Sequence, residues 1–242
     1  MPPKKTPVIM INKSSVNGFR IFNSNDWSSK SKAILQTCAT EFSLIEHTAS
    51  KLEVLCSSSN DICIGYFNDL LKQWENAKWD NSRYDYYVQV PELHYLILVI
   101  LCSIKGLLDS LVKLLNTENI INSRVNGFNK ANDNVGGRVL NALQRNVSAS
   151  HKTKANIIYN LIVDHKENWI DEVVLLRDRF IHLDGGAHQI MLNMNILIKN
   201  NKLVFEGAYP PLLKDKRIDL YLREKIISLE EFSKSFLEEI KS

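Results

Sequence analysis

The sequence has 242 residues, 45% of them hydrophobic and 24% charged, and its 30 Lys and Arg against 27 Asp and Glu give a formal net charge of +3. The length suits one large domain or a domain with additions, and the apolar share is enough for a real core. So even a charge excludes a strongly basic nucleic-acid tail, though not a local basic patch.

Residues 1–25 are polar, with two short β-like pieces at Val8–Ile11 and Phe19–Phe22, and are expected to form an N-terminal arm. Val8–Ile11 is too short for a signal-peptide core, and no small-residue cleavage site follows it. Asn25-Asp26 can cap a helix starting near Trp27. Ile34, Cys38, Phe42, Ile45, Leu52 and Leu55 keep helical spacing to about Cys56. Ser59-Asn60-Asp61 reads as a break and a new cap. Ile64, Phe67, Leu70, Leu71 and Trp74 then mark a second helix to about Trp79, and Asp80–Val90 a Tyr-rich connection.

Pro91 suits the first turn of a third helix, where its missing N–H costs nothing; this helix is expected to reach about Leu115. Its apolar run, Leu93 to Cys102, is too short for a membrane span of about 20 residues, so it reads as a buried core helix. Residues 116–134 are Asn-rich and read as a long loop. Val139, Leu140 and Leu143 mark a short helix, and Ile157, Ile158, Leu161 and Ile162 another. A further helix runs from about Asn168 to Leu183, stopped by Asp184-Gly185-Gly186. From residue 190 the apolar period changes from helical to alternating. Met191 to Ile198, Asn200-Asn201 and Leu203 to Phe205 predict a β-hairpin. Pro210-Pro211 then separates it from an amphipathic helix over about Ile218–Ile240. The pattern predicts an all-α chain, an antiparallel helix bundle with a small added β-hairpin.

The four cysteines (Cys38, Cys56, Cys63, Cys102) form no Cys-x-x-Cys pair and read as reduced core residues of a cytoplasmic protein. Asn12-Lys13-Ser14 and Asn146-Val147-Ser148 match the glycosylation pattern by chance. His182, Asp184 and His188 lack an obvious fourth ligand, so no metal is expected, and no motif points to a cofactor. His94 reads as a core histidine. Trp27, Trp74, Trp79, Trp169, Tyr84, Tyr86 and Tyr87 could stack on bases but read first as packing residues.

The segment Arg177-Asp178-Arg179-Phe180-Ile181-His182 carries the best candidate chemistry. The expected core stripe of its helix is Val173, Leu176, Phe180 and Leu183. Asp178 and His182 are four apart and share a face, and the negative helix end near His182 favours a protonated imidazole. Arg177 and His182 fall roughly 140° apart around a regular helix. They reach one small group only if the helix unwinds at His182 or if two copies of the chain pool their residues. The plain alternative is a helix-end salt bridge with a C-terminal cap. A second feature is basic: Arg124, Lys130, Arg138, Arg145, Lys152 and Lys154 fall in a stretch where Asp133 is the one acid, a footprint for a phosphate backbone or simply a solvated face.

Arg177-Asp178-x-x-x-His182 resembles the Arg-x(4–6)-His signature of the HEPN superfamily (higher eukaryotes and prokaryotes nucleotide-binding), in which a polar residue often follows the Arg. The resemblance implies a bundle over about residues 26–184, with residues 185–242 as a hairpin and helix packed on the same domain. It implies a metal-independent endoribonuclease that needs no cofactor. Arg177 would sit on the phosphate, His182 would be acid/base, and Asp178 would orient one or the other, at the interface of a homodimer. It also implies RNA as partner, with Arg138, Arg145, Lys152 and Lys154 as candidate RNA-binding residues, and no membrane. Members recur in toxin–antitoxin and phage-defence systems, which implies a toxin or defence effector with an antitoxin or regulatory protein as a candidate partner. Others are inactive, which leaves a helical module binding nucleotide, RNA or a protein partner as the alternative.

Overall fold

In the computed structural model of the chain, residues 21–22, 27–74, 83–132, 134–182 and 190–242 are described. They are mostly helical, with a small antiparallel sheet. The arm pieces at Val8–Ile11 and most of Phe19–Phe22 lie outside the described residues, as do the Asn25-Asp26 cap, residues 75–82 and the Asp184-Gly185-Gly186 stop. Of the second arm piece, Ile21 is helical rather than extended, and Phe22 is buried with its ring edge-on to Phe42.

Helix α1 spans Ser29–Ser57, and the Ser28 hydroxyl accepts the Ser31 N–H at 3.2 Å, the bond of an N-cap. Its buried stripe is Leu35, Cys38, Phe42, Ile45, Leu52 and Leu55. The break before α2 (Ser59–Gln73) falls at Ser58. Asn60 does not cap α2. Its Oδ1 accepts the Ala208 N–H at 2.7 Å, and the Ser59 hydroxyl donates to the Cys56 carbonyl at 2.7 Å. Strand β1 (Arg83–Val88) replaces the expected connection. It escaped the sequence pattern because Tyr84, Asp85, Tyr86 and Tyr87 are all exposed, so no apolar alternation marks it. Helix α3 (Pro91–Thr117) is long and apolar enough to cross a membrane, but it is mostly buried inside the fold, as a core helix is.

Helix α4 (Gly137–Arg145) buries Val139, Leu140, Ala142 and Leu143. After a 3-10 turn, Ala149–His151, come α5 (Lys152–His165), a π turn at Lys166–Ile170 and α6 (Asp171–His182), without a break. The two helices expected here are therefore one helical run. Across the π turn, Trp169 Nε1 donates to His165 Nδ1 at 3.0 Å and Lys166 pairs with Asp171 at 2.6 Å. The expected hairpin is present as β2 (Leu192–Lys199) and β3 (Lys202–Tyr209), turning through Asn200 and Asn201, both with positive φ. Asn tolerates that conformation better than most residues, which suits the two-residue turn. With β1 it makes a sheet of order β1-β2-β3, all antiparallel, with a bulge beside Asn195 and Ile196. A second, shorter hairpin, β4 (Leu212–Leu213) and β5 (Lys216–Arg217), leads into α7 (Ile218–Lys241). The buried stripe of α7 is Ile218, Leu222, Ile226, Leu229, Phe232, Phe236 and Ile240, three to four residues apart throughout.

The chain forms two units by contact. One comprises Met1–His47, Ser103–Val163 and Glu230–Ser242, the other Thr48–Cys102 and Asp164–Leu229. In the first, the Asn-rich loop after α3 is pinned from the helix. The Asp109 carboxylate accepts the Phe128 N–H and the Lys105 ammonium, and the Asn116 amide donates to the Val125 carbonyl at 2.6 Å. In the second, α2 lies against β3, with the Phe67 and Phe205 rings 5.8 Å apart, and Arg223 pairs with Glu53 at 2.7 Å.

Candidate functional site

The buried residues of α6 are Val173, Val174 and Phe180; Leu176 is only half-buried, and Leu183 lies outside the described residues. Arg177 stands three positions after Val174 and three before Phe180, so it occupies the buried stripe itself rather than its flank. Its guanidinium is 31% exposed and pairs through Nη1 with Asp178 at 2.8 Å. Burial works against its charge. The bond to Asp178, with Cys102 of α3 nearby, outweighs that and holds the pKa above its usual value. The Arg177 Nε is buried with no hydrogen-bond partner, a donor on the buried side of a cation. One turn on, Phe180 stacks on His94 of α3 at 5.2 Å; His94, expected in the core, is only half-buried.

The backbone is helical through His182, so α6 does not unwind before it. Within one copy, Arg177 and His182 keep their roughly 140° separation around the axis. The His182 side chain and His188 lie outside the described residues. Of the sequence's catalytic trio, Arg177 and Asp178 are thus in direct contact. Among the described residues no group of three His, Cys, Asp or Glu comes together to hold a metal. Burial pushes the thiols of Cys38 and Cys56 up to about 12 and that of Cys63 to about 11, which suits inert core residues better than ligands.

The start of α6 carries a group the sequence reading missed. The Glu172 carboxylate pairs with Lys214 in the β4–β5 turn and with Lys225 of α7 at 3.0 Å. Burial opposes its charge, but the two lysines, with the Tyr221 hydroxyl alongside, prevail and draw its pKa down to about 2. Burial and the same carboxylate push the Tyr221 phenol well above its ordinary value. No spacing in the sequence links residues from three separate elements, so nothing there could have announced this cluster.

The RNA-binding candidates fall in the other unit. Arg138 and Arg145 are exposed on α4, seven positions apart and so on one face, opposite its buried side. Lys152 is exposed too. Lys154 is half-buried and donates to the Ile240 carbonyl at 2.9 Å, where it caps the negative end of α7. Tyr84, Tyr86 and Tyr87 are exposed on β1 rather than packed in the core, whereas Trp27 and Trp169 are buried. Compared with protein-family models, with curated proteins and with solved structures, the chain matches none of them.

Proposed function

We propose that the chain is a metal-independent endoribonuclease of the HEPN kind, its helices packed as an antiparallel bundle, acting in the cytoplasm as a homodimer. The observation that carries this reading is Arg177: a cation on the buried stripe of α6, fixed by Asp178, with one donor left over. A π turn about two turns upstream supports it, since such turns recur at functional sites. In the dimer, His182 of one copy takes the proton of the RNA 2′-hydroxyl, whose oxygen attacks the adjacent phosphorus. Arg177 neutralises the charge on the phosphorane, and the leaving 5′-oxygen takes up a proton. The products are a 2′,3′-cyclic phosphate and a 5′-hydroxyl. The exposed pair Arg138 and Arg145 would contribute to holding the RNA backbone. A toxin or phage-defence effector restrained by an antitoxin is the biological role that suits such an activity.

The test is total RNA incubated with the purified protein in excess chelator, beside Arg177→Ala and His182→Ala. Cleavage by the wild type alone, leaving cyclic-phosphate ends, is the expected result. Equal cleavage by all three sinks the assignment. One observation favours a second reading, a non-catalytic module that binds RNA, nucleotide or a protein partner. Arg177 already has a partner in Asp178, which a purely structural residue would also have. On that reading no protein in the series cleaves, and Arg177→Ala lowers stability without changing any activity.

A further inference from the structure

The register of the small sheet sets Tyr87 opposite Asn193 and Asn193 opposite Tyr209. Residues directly opposite one another point to the same face, so Tyr, Asn and Tyr form one row across three strands. With about 4.8 Å between strands, the two tyrosines stand roughly 10 Å apart at their backbones, the amide between them. A flat ring needs about 3.5–4 Å on each side, so the row is wide enough to admit one. Both tyrosines are unusually open for such large rings, Tyr87 at 59% and Tyr209 at 54% exposure.

A cavity of about 580 Å³ opens on this row, a size usual for a small-molecule site. Asn60, Pro210, Pro211 and Arg217 form part of its wall. The Tyr209 ring leans back along its strand over Gly207, its hydroxyl 3.5 Å and Asn60 Oδ1 3.7 Å from where a Cβ would stand. Among the described residues Arg217 is the one charged side chain on the wall. Its Nε and Nη2 bind the buried Asp219 carboxylate at 3.1 and 2.8 Å, which fixes the fork and leaves Nη1 outside that pair. A fixed, half-exposed guanidinium suits phosphate better than a flexible ammonium does, although Asp219 offsets part of its charge. Ring stacking therefore supplies most of the affinity, and the anion supplies selectivity.

We propose that this cavity binds a nucleoside monophosphate, its base between Tyr87 and Tyr209 above Asn193 and its phosphate at Arg217. The site is independent of Arg177 and of the ribonuclease reading. The test is calorimetric titration of the full chain with AMP, GMP, CMP and UMP, then with the matching nucleoside and with inorganic phosphate. At least one monophosphate should bind saturably at one per chain, with nucleoside and phosphate each about tenfold weaker or more. Tyr87→Ala, an exposed edge-strand change that leaves the helical circular dichroism intact, should weaken binding by about tenfold, the loss of one stacking partner. Arg217→Lys should abolish the preference for monophosphate over nucleoside; if Asp219 without its fork unfolds the protein, the wild-type comparison still decides the phosphate part. No saturable binding of any monophosphate at millimolar concentration overturns the proposal, and so does undiminished binding by Tyr87→Ala.

Discussion

Glu172→Gln keeps the shape of the side chain at the start of α6 and removes its charge, so it isolates what the Lys214–Glu172–Lys225 cluster contributes. The carboxyl falls from 4.5 to about 2 in the folded chain. Such a drop corresponds to at most about 3 kcal/mol of stability at neutral pH. Lys214 is 68% exposed and screened by solvent, whereas Lys225 and Glu172 are largely covered. Discounting the first partner leaves roughly 2 kcal/mol. The sign follows from the depressed pKa. The stabilisation is complete above the unfolded value near 4.5 and is lost as pH falls through about 2. Urea denaturation of wild type and variant at pH 7, 4.5 and 3 measures it, with the slope held common to both proteins. The difference should be about 2 kcal/mol at pH 7, nearly as large at pH 4.5, and less than about half that at pH 3. A difference equally large at pH 3 would refute the reasoning, because the loss would then come from packing rather than charge. A variant as stable as wild type at pH 7 would refute it too.

Three further outcomes follow from the geometry. Gly136 has φ +68 and an added Cβ would meet the Phe128 ring, so Gly136→Ala should lower the stability of its unit by at least about 2 kcal/mol in urea titration. Cys38 is fully buried and its thiol is pushed up to about 12, so iodoacetamide at pH 8 should leave it unmodified in the folded protein and alkylate it in urea; peptide mass mapping reads the difference, and equal labelling would contradict the burial. Reversing both Arg138 and Arg145 to Glu should weaken RNA binding and flatten its dependence on salt by about two phosphate contacts in a filter-binding series; an unchanged slope would remove α4 from the RNA interface.

Most helices could be read from spacing because their stripes are long. Ile218 to Ile240 repeats every three or four residues, and α7 follows it to within one residue. The Asn200-Asn201 turn was legible for a local reason as well, since it needs residues that tolerate positive φ. Strand β1 was not. An exposed edge strand carries no apolar alternation, and its pairing with β2 is decided by residues about a hundred positions away. The β4–β5 turn hides similarly, because Lys214 and Asp215 adopt positive φ without a glycine to signal it. The cavity is a product of that missing strand: Tyr87 becomes a binding candidate only once it stands in register with Asn193.

The candidate site shows how a real periodic signal can be read as the wrong structure. At about 100° per residue, the period set by Ile158 and Ile162 reaches Val174 about 160° out of phase with Ile158. From sequence, such a slip looks like the end of one helix and the start of another. The chain takes it up in the π turn at Lys166–Ile170, where one additional residue per turn returns roughly 100°. The same rotation turns Arg177 toward the buried side and leaves Leu176 half-exposed, the reverse of what residue polarity predicts. A guanidinium brought into a core stripe needs a reason to be tolerated there, and Asp178 supplies part of one by holding it at 2.8 Å. The buried, unpartnered Nε is not accounted for by that pair. Placing Arg177 in the stripe and leaving a donor spare are separate facts, the first fixed by the π turn and the second by the reach of Asp178. An anion binding there would explain the second without disturbing the first, whereas a purely structural pairing leaves it a cost to the fold.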